Sequence, residues 1–282
     1  MKWLLVPNYT RSKTAEAVQR TLAWAKNQGI AIVMERLGRV EGALHPEEQV
    51  IWCKNISDEV MAGCDEILTI GGDGTMVRTA THSAQSGVPL VGVNTGRLGF
   101  LTQIELPELE DRLERLSKRQ YQVEQRSALA AGWPGGYAKF AMNDIVLQKI
   151  KQGGLACIEA YRGQELIGRY RADGLILSTA TGSTAYACAA GGPIVDGTLN
   201  VTVLIPICPQ NRMNVPLICK MDTEIFVTIY GCNMRILVDG EEQGRLEDGE
   251  CITIYRSPQY VPLIKFDKKW NIIDWQKKVY AL

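Results

Sequence analysis

The chain has 282 residues, with 31 Lys plus Arg against 31 Asp plus Glu and only two histidines, His45 and His82. A 46% apolar composition supplies a real core and excludes disorder, while zero formal net charge argues against a protein that coats nucleic acid or an anionic membrane. A Ser-His-Asp hydrolase would have to use one of the two histidines, and a His-rich metal centre cannot be built.

The first hundred residues alternate between strand and helix grammar. Trp3–Val6 is a short apolar run closed by Pro7-Asn8 and predicts a buried strand. Residues 13–27 carry Ala17, Val18, Leu22 and Ala25 at helical spacing, with Gly29 as the stop. Ile30–Met34 predicts a second strand, a helical stretch follows around Pro46–Met61, and Glu66–Ile70 predicts a third strand. A glycine cluster at 71–75 then opens a helix running to about Ala84, and Val88–Val93 predicts the next strand. Such alternation predicts a parallel sheet wrapped by helices. A charged amphipathic helix over 106–118 closes this α/β domain, taken as residues 1–120 and Rossmann-like.

After Tyr121 helical spacing nearly disappears. Segments rich in Val, Ile, Thr and Tyr recur at Ala141–Gln148, Ala156–Tyr161, Leu175–Thr179, Val201–Ile205, Glu224–Tyr230, Met234–Val238 and Glu250–Tyr255. They predict an all-β sandwich domain over 121–258, interrupted by a short helix at Thr184–Ala190. The segment 259–282 opens with the strand-like Tyr260–Phe266, carries Trp270 and Trp275, and is expected to return to the first domain.

Eight cysteines contain no C-x-x-C pair, which disfavours zinc ribbons and thioredoxin-type redox motifs. The apolar stretch in MKWLLVPNYTRSK is too short for a signal-peptide core, and no run approaches the ~18 apolar residues of a membrane span. A reducing, cytoplasmic compartment is the expectation.

The strongest chemical signal is Gly71-Gly72-Asp73-Gly74-Thr75, after a strand and opening a helix. Three glycines let the backbone approach a bulky anion, and the N–H groups of the helix start point at it. No Walker lysine follows, and the pattern is not the G-x-G-x-x-G dinucleotide fingerprint. The alternative is a plain strand-to-helix turn. An aspartate here would repel phosphate unless it took a proton or met a metal. Gly92–Phe100 (GVNTGRLGF) follows the next strand at the same sheet edge, where open α/β folds bind ligands. Between Ser178 and Tyr186, six hydroxyl side chains surround Gly182. They suit a sugar, amide or adenine edge, or else a Thr-rich strand and turn.

GGDGT at 71–75, GVNTGRLGF at 92–100, MND at 142–144 and RADGLILSTATGSTAY at 171–186 together resemble the NAD kinase family. GGPIV at 191–195, PICP at 206–209 and VDG at 238–240 extend the resemblance from the first strand through residue 266. GGDGT alone is shared with lipid kinases and phosphofructokinases; the combination is specific. The resemblance implies transfer of a phosphoryl group from ATP, or polyphosphate, to the 2′-hydroxyl of the adenosine ribose of NAD. It also implies an α/β domain followed by a β-sandwich with the dinucleotide between them, in a homo-oligomer.

By that resemblance Asp73 is the catalytic proton acceptor. Gly71, Gly72, Gly74, Thr75 and Arg78 belong to the phosphate loop, with Asn94 and Phe100 beside it. Asn143 and Asp144 bind the adenosine side. The Thr184-Ala185-Tyr186 stretch lines the adenine pocket, Arg171 and Asp173 lie against the dinucleotide, and Thr181, Ala187, Cys188, Ala189 and Asp239 are further nucleotide-binding residues. Mg²⁺ is expected to arrive with ATP, and no protein metal ligand is named. The chain departs from the family at Ala180, where proline is usual, at Gln210 in place of a histidine, at Glu241 in place of glutamine, and at Asp196-Gly197 after GGPIV. Two alternatives stay open: a GGDGT lipid kinase, disfavoured by neutral composition and the hydroxyl-rich segment, and a silent dinucleotide sensor, disfavoured by the presence of Asp73.

Overall fold

A computed structural model describes residues 1–35, 50–96, 99–150, 156–211 and 215–266, without the Lys139 side chain. His45, Pro46–Gln49, Arg97, Leu98, Trp270 and Trp275 lie outside the described residues. Two compact units are present: Met1–Gln125 with the returning residues from Val261, and Arg126–Tyr260.

The first unit is α/β. Its elements are β1 (Lys2–Pro7), α1 (Thr14–Asn27), β2 (Ala31–Glu35), β3 (Val50–Cys53), α2 (Asp58–Ala62), β4 (Glu66–Gly71), α3 (Asp73–Ser86), β5 (Leu90–Asn94), β6 (Ile104–Glu105) and α4 (Leu109–Ser117). The strands β3-β2-β1-β4-β5 pair in that order, all parallel. The α1 stripe of Ala17, Val18, Leu22 and Ala25 is buried against the sheet, and Gly29 ends the helix at φ +67°. The helix expected over Pro46–Met61 is corrected where it is described. Val50–Cys53 is a strand beside β2, as its β-branched and aromatic residues favour, and only Asp58–Ala62 is helical. Ser57 caps that helix by accepting the Val60 N–H. No helix among the described residues is long and apolar enough to cross a membrane.

The second unit holds β7 (Gln122–Trp133, entering from the first unit), β8 (Gly136–Ala141), β9 (Asp144–Lys149), β10 (Ala156–Arg162), β11 (Glu165–Ala172), β12 (Gly174–Thr179), α5 (Tyr186–Ala189), β13 (Val201–Ile207), β14 (Leu217–Lys220), β15 (Ile225–Tyr230), β16 (Met234–Val238), β17 (Glu241–Leu246) and β18 (Cys251–Lys265). Antiparallel β14-β13-β12-β9-β16-β17 form one sheet; β11-β10-β15-β18, with β7 and β8, form the facing layer. Side chains alternate with period two. Ile145, Leu147, Leu175, Leu177 and Leu204 fill the core between the layers. Val146, Ile176, Val203 and Ile205 point out of the six-stranded sheet, yet are buried under Ala180, Ala187 and Val195. A segment that covers the outer face of a sheet explains why β12 is apolar on both sides.

Two boundaries differ from expectation. Ala141–Gln148 is not one strand but breaks at Met142-Asn143, whose N–H groups are taken by the Asp239 carboxylate. The strands expected over 250–255 and 260–266 merge into one, β18, over Cys251–Lys265. Its last residues return to the first unit, with Leu263 in register with Leu90 and Phe266 buried under the Arg112 and Arg115 guanidinium groups.

Candidate active site

The glycine loop joins the C-terminal end of β4 to α3, with Gly72 as extended N-cap residue at φ −125°. The glycines serve different ends. A Cβ on Gly71 would strike the Thr75 side chain and reach the Asn8 Cβ at 3.2 Å, so Gly71 is required for packing. A Cβ on Gly72 or Gly74 would meet nothing within 4 Å, which leaves open space over the N–H groups of the helix start. Thr75 is buried, and its hydroxyl accepts from the Asn8 amide at 3.2 Å.

Asp73 is tied to the segment that follows β5. Its Oδ2 accepts the Phe100 N–H at 2.7 Å, and its Oδ1 accepts those of Leu101 and Thr102 at 3.1 and 3.2 Å. Three backbone donors thus offset the charge that would otherwise repel a phosphate. Asn94 is buried and committed to structure: its amide donates to the Glu105 carboxylate and its oxygen accepts the Gly96 N–H. Arg78 is exposed, makes no ion pair among the described residues, and borders a cavity of about 720 Å³ with Asn8, Thr10, Glu35, Thr75 and His82. Asn8 and Thr10 were not singled out in the sequence, although their place after the first strand of a parallel sheet was the available signal.

In the second unit, Asn143, Asp144, Ala185, Tyr186 and Asp239 converge with Gln148 and Gly240 on a cavity of about 410 Å³. The Asn143 backbone is anchored on both sides: its N–H donates to Asp239 at 2.7 Å, and its carbonyl accepts the Thr179 N–H at 2.8 Å. The Asn143 side chain makes no hydrogen bond among the described residues. The same holds for Asp144, which is only 4% exposed. Burial, then the neighbouring Asp239 charge, pushes the Asp144 carboxyl up to about 7. Asp239 is also pushed upward by burial, opposed by its three N–H donors.

Thr181 is buried and accepts from Arg126 at 3.4 Å, while the Thr184 hydroxyl donates to the Thr181 carbonyl. Ala187 is fully buried on the inner side of α5, so its side chain belongs to the core; Cys188 is partly buried and Ala189 exposed. Asp173 pairs with Lys149 at 2.7 Å, a partner the sequence reading missed, and Arg171 is exposed on β11. Among the described residues, no group of three or more His, Cys, Asp or Glu could hold a metal ion.

The ATP-NAD kinase N-terminal domain family matches residues 4–121, and the ATP-NAD kinase C-terminal domain family matches residues 142–266. The chain belongs to the NAD kinase family. An NAD kinase of Moorella thermoacetica is 33% identical over 266 residues, covering 93% of this chain and 83% of that protein. One of Desulforamulus reducens is 33% identical over 270 residues, covering 94% and 92%. Among solved structures, an NAD kinase from Archaeoglobus fulgidus in complex with ATP is 26% identical with a TM-score of 0.76, covering the whole of both chains. A yeast NADH kinase complexed with NADH shares the fold at a TM-score of 0.86 and 21% identity, covering 100% of this chain and 87% of that one. Family membership sets aside the lipid-kinase alternative.

Proposed function

We propose that this protein phosphorylates the 2′-hydroxyl of the adenosine ribose of NAD, producing NADP, with ATP or polyphosphate as donor. The observation that carries the reading is the pairing of two features within an NAD kinase family chain: an open glycine loop at a helix start, and a cavity lined by Asn143, Asp144 and Tyr186. Phosphoryl transfer depends on positioning and charge neutralisation rather than covalent chemistry, and these residues suit both tasks.

In this reading the donor phosphates lie over Gly72 and Gly74, with Arg78 as their cation. The adjoining cavity of about 720 Å³ takes the rest of the donor nucleotide. The Asn143 amide meets the adenosine, Asp144 accepts from a ribose hydroxyl, and Tyr186 covers a ring. Arg171 and Asp173 lie along the dinucleotide, and Thr181 and Thr184 shape the wall behind Tyr186. Asp73 takes the ribose proton. A carboxylate has about four lone-pair sites, and three are filled by Phe100, Leu101 and Thr102, which leaves one on Oδ2.

Mg²⁺ would arrive with the nucleotide, since it keeps most of its waters and needs few protein carboxylates. The ion would supply charge neutralisation on the phosphates, and Asp73 is the one carboxylate of the glycine loop that could approach it. A homo-oligomer in a reducing, cytoplasmic setting completes the proposal; its eight free thiols suit such a setting. The test is a coupled assay of NADP formation with donor and acceptor varied, alongside sedimentation for assembly. Binding of NAD without NADP from Mg-ATP or polyphosphate would overturn the assignment.

A further inference from the structure

Asp239 and Gly240 form the two-residue turn between β16 and β17, at φ +48° and +87°, with Val238 opposite Glu241. Asp-Gly at two positive-φ positions is the type I′ hairpin turn. That turn needs nothing from the carboxylate, and asparagine serves it at least as well. Yet the Asp239 side chain is turned inward. Its Oδ2 accepts the Met142 N–H at 2.8 Å, and its Oδ1 accepts those of Asn143 at 2.7 Å and Asp144 at 3.1 Å. The Asp239 N–H in turn donates to the Asp144 carbonyl at 3.0 Å. Four hydrogen bonds therefore tie one turn to the segment between β8 and β9. This clamp interrupts what would otherwise be a continuous strand, and it leaves the Asn143 and Asp144 side chains lining the cavity.

We propose that Asp239 is a positioning residue for the dinucleotide, acting through the Met142–Asp144 segment rather than by contact with substrate. The proposal rests on the reading of the cavity as the adenosine site. It differs from the sequence expectation, which placed Asp239 among the binding residues.

The division of labour follows from hydrogen bonding. Asp239 has three N–H donors and is held as a fixed acceptor; Asp144 has none among the described residues and is left for a ligand hydroxyl. The groups facing Asp144 are few. Asp239 stands on the hairpin turn with Glu241 behind it, the Tyr186 phenol lines the same cavity, and Ser178 is its uncharged register neighbour on β12. No cation lines the cavity among the described residues. The burial and like charge that push Asp144 up to about 7 provide the readout, because a group poised there gives an acid limb in NAD kinetics.

The experiment is the pH profile of kcat/KM for NAD, from roughly pH 5.5 to 9, in wild type, Asp239→Asn and Asp144→Asn. Asp239→Asn keeps the hairpin, since Asn-Gly favours the same turn, but it sets an amide N–H against a backbone N–H. The expected result is a KM for NAD raised roughly tenfold, more than kcat falls. Removal of the like charge should also move the acid limb down by roughly one pH unit. In Asp144→Asn the limb should vanish. A KM rise with an unmoved limb would reduce Asp239 to a structural part, and a moved limb with unchanged KM would remove the positioning role; either overturns the proposal. If Asp239→Asn were unfolded, persistence of the limb in Asp144→Asn would overturn it instead. Asn143→Ala run in parallel separates the two levels. Unchanged NAD affinity there refutes the cavity assignment itself, whatever Asp239 does.

Discussion

The Phe100 amide donates to the Asp73 carboxylate at 2.7 Å, across 27 residues of chain. This bond, with those from Leu101 and Thr102, makes the aspartate of the glycine loop the fastener of the segment that follows β5. Asp73 therefore has two duties, and substitution should expose both. Asp73→Asn is expected to lower kcat by roughly 100-fold or more, as for a positioned general base. It should also cost about 1–3 kcal/mol of stability through a mismatched N–H. Turnover and thermal melting on one preparation check the pair, and near-normal turnover would leave Asp73 only its structural duty.

Glycine substitutions should separate folding from phosphate use. Gly71→Ala forces a Cβ into the Thr75 side chain, so stability should fall by roughly 1–3 kcal/mol. The Cβ added in Gly72→Val meets nothing within 4 Å and sits at an extended φ, so the protein should fold normally and use ATP poorly. Melting curves and the KM for ATP decide this; unchanged ATP kinetics in Gly72→Val would argue against phosphate lying over that face.

Asn143→Ala should weaken NAD by about 1–3 kcal/mol with little change in melting temperature. The reason is local. Asn143 shapes its turn through backbone N–H and carbonyl, which alanine retains, while the amide itself is uncommitted among the described residues. A lowered melting temperature with unaltered NAD binding would reverse the assignment.

Asp144 also predicts the pH dependence of stability. Its folded-state carboxyl lies near 7, above the ordinary 3.8. Such a group contributes fully below the ordinary value, and its contribution is lost as pH rises through about 7. Asp144→Asn should accordingly raise stability by about 1–3 kcal/mol near neutral to alkaline pH, and make little difference well below the free carboxyl's range. Denaturant titrations at both ends of that window check the sign.

Ala180 takes φ −59° at the end of β12, a backbone angle proline already favours. The preceding Thr179 is in a strand, which suits a residue before proline. Ala180→Pro should therefore stabilise the turn by about 0.4–1 kcal/mol through the unfolded chain. A melting temperature that falls instead would show that the ring does not fit beside Val146 and Ile176.

Strongly periodic elements were legible in the sequence. The α1 stripe and the apolar runs of β1, β4 and β5 carry their own burial pattern, and the residues of the glycine loop and of the cavity at Asn143 were named from motifs. What escaped had a physical cause. β17 (EEQGRL) is a charged edge strand with almost no apolar signal, and β3 is only four residues long. The break at Met142-Asn143 depends on a carboxylate 96 residues away from Asn143. No local pattern could show that Ala187 packs inward, because its partners, Val146 and Ile205, arrive from two other strands.

Of the eight unpaired thiols, Cys208 alone is exposed, and it holds the left-handed conformation at φ +46°. Two residues on, the Gln210 N–H donates to the Arg171 carbonyl at 2.8 Å. A mild maleimide or iodoacetamide should therefore derivatise this position well before the seven more sheltered sulfurs. A fluorophore attached there would sit close to the β11 segment that carries Arg171, and would give an optical signal of ligand arrival without a substitution in the chain.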